Sequence, residues 1–308
     1  MASKFYKGTK PLLSQPYLGG GKLGRVYIGG QLAYGVAPFS NGVLDLYPTA
    51  YAAWSLRRLS STYSGAAIQV TRTSDSATQD IGFDGETANL DTTTLTSFIG
   101  ANTGVVSIWY DQSGNGRDIS ISSALRPTIV SSGTLQTLSS GKATMKPQSG
   151  QLGVDTGLSG LTDKTIFFAG DSTNQLGNAV SRLFTGYAGT GGIAGNLLVD
   201  HVVGASGYVR YFDGNVVVNS QTQADGEVVI GGYTSGGTIG VKVNGTTTQT
   251  NTGASPTNTN NYHIFEDGGG GINNEIPTFA SEYVLYNTSK DSDLSDIMTN
   301  INDYWGIY

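Results

Sequence analysis

The chain has 308 residues, 45 of them glycine, with 13% charged and 38% hydrophobic residues and a net charge of −6. That hydrophobic share excludes a disordered chain, and the glycine excess, about twice the usual share, points to short strands joined by tight turns. The absence of cysteine excludes disulfides, thiolate catalysis and Cys-bound zinc, and two separated histidines, His201 and His263, leave little for a His-rich metal site.

Residues 1–44 carry Lys4, Lys7, Lys10, Lys22 and Arg25 and no acid, a net +5, whereas the remainder holds 12 basic and 23 acidic residues, a net −11. Such a division suggests a basic head that docks on something acidic, or simply a few solvated lysines on a small strand pair. The head repeats a unit of tyrosine, any residue, glycine at Tyr6, Tyr17 and Tyr27, which reads as strand ends entering turns. Hairpins this small do not stand alone. Gly19–Gly24 formally matches a dinucleotide fingerprint, but the strand-like "RVYIGG" follows where that motif requires a helix. The N-terminus lacks the apolar core of a signal peptide, and no run approaches roughly 18 apolar residues, so the expectation is synthesis in a cytoplasm and no membrane insertion.

Pro48-Thr49 can start a helix with Ala52, Ala53, Leu56 and Leu59 on one face and Arg57 and Arg58 pointing away. "AAIQVTRT" alternates as a strand, Asp91 can cap a short helix that ends at Gly100, and "GVVSIWY" reads as a buried strand. From about residue 164 strands dominate: "TIFFAG", "GYVRYF", "NVVVNS", "EVVIGGY", "IGVKV" and "SEYVLYN", with hairpin turns at Asp213-Gly214 and Asn244-Gly245. The chain closes on an amphipathic helix, capped by Ser292, with Leu294, Ile297, Met298, Ile301 and Trp305 in its stripe. The predicted fold is an all-β antiparallel sandwich over 45–308, with a small β head at 1–44 and a few short helices.

"IWYDQSGNGRDIS", residues 108–120, is open to several readings. Asp111, Ser113 and Asn115 reproduce the start of a calcium loop, but position twelve is Ser122 and Arg117 sits inside, so calcium is a weak candidate and no other cofactor is expected. Glycoside hydrolysis needs two carboxylates, for which Asp111, Asp118, Asp171, Asp200, Asp225, Glu227, Glu266, Asp267 and Glu275 are available. Trp109, Asp111, Asn115 and Arg117 together would also suit a sugar-binding edge. A structural Asx turn accounts for every small residue of the stretch.

"LRRLSSTYSGAAIQVTRTSDSATQDIGF", "LDTTTLTSFIG" and "VVSIWYDQSGNGRDIS" resemble the N-terminal half of the catalytic domain of fungal-type alpha-L-arabinofuranosidase B, and resemble more closely the concanavalin A-like (laminin-G-like) domains of bacteriophage virion proteins. "VKVNG", "SEYVLYN" and "NINDYWGIY" are similar to the latter group too, so the resemblance spans roughly 44–308 and implies a jelly-roll scaffold. In the enzyme family the nucleophilic Glu lies in a cysteine-bearing Asn-Ala-Glu segment; here Asn178-Ala179-Val180 stands in the comparable region, and only Asp267 offers a loose match to the family's acid. The resemblance therefore implies a scaffold without its nucleophile: a non-enzymatic capsid-decoration, head-fibre or tail component of a virion, with arabinofuranosidase-like hydrolysis as the alternative. It further implies that Tyr6, Tyr17, Arg25 and Tyr27 dock the head on other virion proteins, that the protein is a homo-oligomer, that a host surface glycan is a possible ligand, and that no nucleic acid is bound.

Overall fold

In the computed structural model the chain divides into two compact units, Met1–Phe39 and Ser40–Tyr308. The structure describes 39–308 except 40, 86, 149–153, 175–179, 187–195, 203–207, 215, 221–225, 255–260 and 266–276, and within 1–38 only four strand segments. Those four form two antiparallel pairs, Tyr17–Leu18 with Gly21–Lys22 and Val26–Ile28 with Gln31–Tyr34. Tyr17 and Tyr27 thus lie in short strands; Tyr6 and Arg25 lie outside the described residues.

The second unit is an all-β sandwich of antiparallel sheets with a few short helices, as the sequence predicts, three of them among the described residues. One six-stranded sheet runs in the order Gln249–Thr252, Thr238–Val243, Glu227–Ser235, Lys164–Asn174, Pro277–Tyr286, Ala52–Ser55. A second runs Val154–Ser159, Asn261–Ile264, Val180–Gly186, Asn196–Val202, Tyr208–Gly214, Val216–Asn219. The third is built from Thr134–Leu135, Thr128–Ser131, Gly104–Trp109, Ile68–Arg72 and Thr78–Ile81, with Ile119–Ser120 added beside Gly104–Trp109.

The first of these sheets is covered on both faces. On the inner face Tyr283 packs edge-on against Trp109 of the third sheet and donates its hydroxyl to the Leu183 carbonyl of the second. On the outer face lies the terminal helix α3, Leu294–Trp305, whose predicted stripe is fully buried. The paired glycines of "VVIGGY" mark the two faces: a side chain at Gly231 would strike Leu294 and Met298 of α3, and one at Gly232 would strike the Tyr211 ring. Burial on both faces explains why Glu227–Ser235 and Pro277–Tyr286 lack polar alternation. Lys164 and Asp213 bridge the first and second sheets as a buried ion pair at 2.7 Å, with the Lys164 ammonium also donating to the Leu161 and Thr162 carbonyls. Asp213 pairs in register with Val216, so it is a strand residue beside the expected turn; Asn244 and Gly245 both take positive φ, as predicted for theirs.

One predicted helix is absent. Ala52–Ser55 is an edge strand with all four residues buried, because its backbone pairs with Glu282–Leu285 while Trp54 fills the sandwich. A short helix instead precedes it, α1 at Val43–Leu46, where the Asp45 carboxylate accepts from the Gly42 amide. The second helix, α2, spans Thr92–Ile99 as expected: the Asp91 side chain accepts from the Thr94 amide, and Gly100 ends it at φ +62°.

Candidate active site

Strand register builds the site. Glu282, on the strand next to the edge, pairs opposite Ser55 of the edge strand, on the outer face of the sheet, and Arg57, two residues beyond Ser55, returns to that face. The Glu282 carboxylate accepts from Arg57 Nε at 2.7 Å, Arg57 Nη2 at 3.0 Å, Ser55 Oγ at 2.9 Å and Trp305 Nε1 at 3.0 Å. Both charged side chains are buried. Arg57 also donates to the Asn300 carbonyl and side-chain oxygen, so α3 is fastened over the pair. The helical reading turns Arg57 into solvent; past the end of the edge strand it instead turns inward, and the charge of Glu282 offsets the cost of that burial.

Tyr304 connects this pair to an open cleft. Its ring lies 5.3 Å from the Arg57 guanidinium carbon and packs edge-on against Trp305. Its hydroxyl donates to Asn89 Oδ1 at 3.2 Å; Lys142 Nζ donates to the same oxygen at 2.9 Å and lies 4.3 Å from the Tyr304 ring centre. These residues, with Asp84, Asp91, Thr92, Thr93 and the Ser140–Ala143 turn, line a cavity of about 330 Å3. Burial, then the nearby Glu282 and Asp84 charges, push the Tyr304 phenol well up, against the pull of Arg57. Burial lowers the Lys142 ammonium, opposed by Asp84. Asp91 is held below the usual carboxylate range by the Thr94 hydroxyl and amide. Asp84 accepts from the Thr87 amide and hydroxyl and from the Asn89 amide nitrogen. Residues bearing a cation, a phenol, an amide and two carboxylates therefore line a space sized for a small polar ligand, within the roughly 300–1,000 Å3 of ligand pockets.

The opening motif forms no part of that cleft. Trp109 is fully buried, stacked with Phe265, which removes its face from any sugar. Asp111 is buried and accepts from the amides of Ala53, Ser113 and Arg117 and from the Ser113 hydroxyl, so N–H and O–H donors occupy the oxygens a calcium ion would need. Asn115 donates to the Ala50 and Tyr51 carbonyls, and Arg117 donates to the Tyr51 carbonyl while stacking 3.4 Å from the Tyr51 ring centre. The turn clamps the approach to the edge strand. Among the described residues no group of three or more His, Asp or Glu gathers to hold a metal.

The other acids are scattered. Asp118 accepts from the Asp111 amide, Asp171 from Thr173 and Glu227 from Ser139, each within local turns or crossings. Asp200 pairs with Arg182 and Arg210 by backbone register. Asn178-Ala179, Asp225, Glu266, Asp267 and Glu275 lie outside the described residues, and Val180 opens a strand. Glu282, Arg57, Lys142 and Tyr304 were missed. The signal for Glu282 was present: a lone carboxylate inside the apolar run "SEYVLYN" has to be paired if that strand is covered.

The fold belongs to the class of arabinofuranosidase-like β-sandwiches. Residues 45–149 match the family model "Alpha-L-arabinofuranosidase B, catalytic", a stretch that supplies every cleft residue except Tyr304. An arabinofuranosidase complexed with arabinofuranosyl-alpha-1,2-xylobiose matches 85% of this chain at 20% identity and TM-score 0.64. A mutant GH54 α-L-arabinofuranosidase soaked with 4-nitrophenyl α-L-arabinofuranoside and a GH54 enzyme soaked with a cyclic sulfate inhibitor each match 85% at 18% identity and TM-score 0.60. The chain spans 64–65% of the length of these proteins. No curated protein matches it in sequence.

These findings correct two expectations. The virion reading, with its capsid or tail role, gives way to similarity with arabinofuranosidases in both sequence family and fold. The non-enzyme reading rested on Val180 alone, and it took no account of the buried, ion-paired Glu282 in its aromatic surroundings or of the carboxylate-bearing cleft in front of it.

Proposed function

We propose that this chain is an arabinofuranosidase-like glycoside hydrolase domain that binds a furanoside in the Asp84–Asp91–Lys142–Tyr304 cleft. The observation that carries the reading is the arabinofuranosidase family match over 45–149, because that segment contributes nearly the whole cleft wall. Hydrolysis of a glycoside needs one group to protonate the departing oxygen and a carboxylate to attack, or to activate water toward, the anomeric carbon. Asp91, held ionised by Thr94, suits the second role, and Asp84 is the second carboxylate of the cleft. Tyr304 offers a ring for the sugar's C–H face, while Lys142 and Asn89 can pair with its hydroxyls.

Glu282 has no exposed surface, and four donors occupy its two oxygens. In this arrangement it acts through Arg57 and Tyr304, as a positioning group behind the sugar. The test is release of arabinose from arabinoxylan and of nitrophenol from 4-nitrophenyl α-L-arabinofuranoside. Wild-type release, abolished in Asp91→Asn or Asp84→Asn with the fold intact, supports the assignment. No release from either substrate overturns the function, and release untouched by both variants overturns the cleft as its site.

A further inference from the structure

A second cavity, of about 360 Å3, lies beside α1 and the turn that follows Gln112, and it shares no lining residue with the cleft. Its chemistry differs from the cleft's. No charged side chain lines it: the walls are the hydroxyls of Thr49, Ser60, Thr62 and Ser113, the Tyr63 ring, and an apolar edge at Leu44 and Pro48. The nearby charges are occupied elsewhere, Asp45 by Ser60, Ser61 and Gly42, and Asp111 by Ala53, Ser113 and Arg117. The floor is rigid, because the Gln112 side chain accepts from the Leu59 amide and donates to the Ser55 and Arg57 carbonyls. At the rim Thr49 holds a left-handed φ of +69°, a strained conformation for a β-branched residue.

We propose that this cavity is a second, non-catalytic binding site for one neutral sugar unit of a polysaccharide. The Ser60 and Ser113 hydroxyls, which give their protons to Asp45 and Asp111, keep lone pairs that accept from sugar hydroxyls, the Tyr63 ring offers a face for C–H contact, and the absence of a cation leaves nothing to select an acidic sugar. The choice of pentose chains as probes rests on the hydrolase reading; the presence of the site does not. A polymer held here as well as at the cleft gains effective affinity through two weak contacts on one chain.

The experiment follows backbone amide shifts of the full chain by NMR during titration with arabinofuranosyl-xylobiose, xylotetraose and, for contrast, a galacturonate oligomer. Saturable shifts are expected at Thr62, Tyr63, Ser113 and Gly114 with the neutral sugars alone. Thr62 is exposed, so Thr62→Trp should fill the mouth at an unchanged melting temperature and weaken binding there about tenfold or more, a loss of roughly 1.4 kcal/mol. Tyr63→Phe, which keeps the ring, should retain it. Absence of shifts at those amides, equal response to galacturonate, or undiminished binding in Thr62→Trp would each overturn the proposal. Shifts there in a chain that hydrolyses nothing would keep this site and remove the hydrolase reading instead.

Discussion

Arg57 and Glu282 leave water together, and the geometry shows why the sequence tolerates this. Two parallel N–H···O contacts join them, and Ser55 and Trp305 add further donors to Oε2, so the buried charge is paired and each carboxylate oxygen has a donor. Removing one member strands the other. Arg57→Met should destabilise the chain by about 3–5 kcal/mol, measured by urea denaturation, because the Glu282 charge would stay buried without its cation. Adding Glu282→Leu should recover only part of the loss, since Ser55 and Trp305 would then be unpaired, each at about 1–3 kcal/mol. A double-mutant cycle showing no coupling would refute the pair as a unit. At the cleft, the same Arg57→Met removes the cation behind the Tyr304 ring, so KM for a furanoside should rise more than kcat falls.

At the scale of elements, α2 links stability to the proposed chemistry through one residue. Asp91 caps the helix through the Thr94 amide and also lines the cleft. The two roles separate by substitution. Asp91→Asn keeps an acceptor for the cap and should leave stability nearly unchanged while abolishing arabinose release; Asp91→Ala should in addition cost about 1 kcal/mol. Equal stability of the alanine and asparagine variants would show that the cap contributes little. Helix α3 plays the complementary part. It seals the outer face of the sheet over Gly231 and delivers Trp305 to Glu282 and Tyr304 to the cleft from adjacent positions. Gly231→Leu should therefore displace α3 from the sheet and damage the cleft together with the fold, read as lost near-ultraviolet aromatic circular dichroism.

For the whole molecule, pH dependence follows from groups spread over the sandwich. Asp75 is held at about 2 by the Arg72 guanidinium and the Ala77 amide. Asp45 is raised by burial yet ends below its usual range through bonds from Ser61, Ser60 and Gly42, and Asp91 is likewise lowered, through Thr94. A carboxylate with a depressed folded pKa contributes stability above its unfolded value, near 4, and loses it as pH falls toward the folded value. The melting temperature should thus be steady above about pH 5 and fall between about pH 4 and 2. At the alkaline end the sign reverses in cause. Burial raises the Tyr63 and Tyr262 phenols to about 12, so the stability their neutral forms supply is present below about 10 and fades as pH climbs past it. Phenolate absorbance of these buried tyrosines should appear only near 12 or on unfolding. A melting temperature that rises on acidification from pH 4 would contradict the acid half of this account.

The periodic and turn-forming parts of the sequence determined the strands at Ile68–Arg72 and Gly104–Trp109, six of those from Lys164 onward, α2 with its Asp91 cap and Gly100 stop, the stripe of α3, and the Asn244-Gly245 turn, because each depends on neighbours within a few residues. The turn at 108–120 was also open to reading as an Asx turn, since Asp111 bonds amides two and six positions away. What lay beyond local pattern was decided by tertiary pairing. "TAYAAWSLRRL" has the spacing of a helix, yet Ala52–Ser55 is a strand because Glu282–Leu285, some 230 residues later, supplies its hydrogen bonds. The same pairing places Ser55 and Arg57 on the face where Glu282 and Trp305 meet them. The cleft joins residues 84–93, 140–143 and 304, which no window of sequence contains. Charge burial and convergence of distant side chains are properties of that register, and register is fixed only when the sheet assembles.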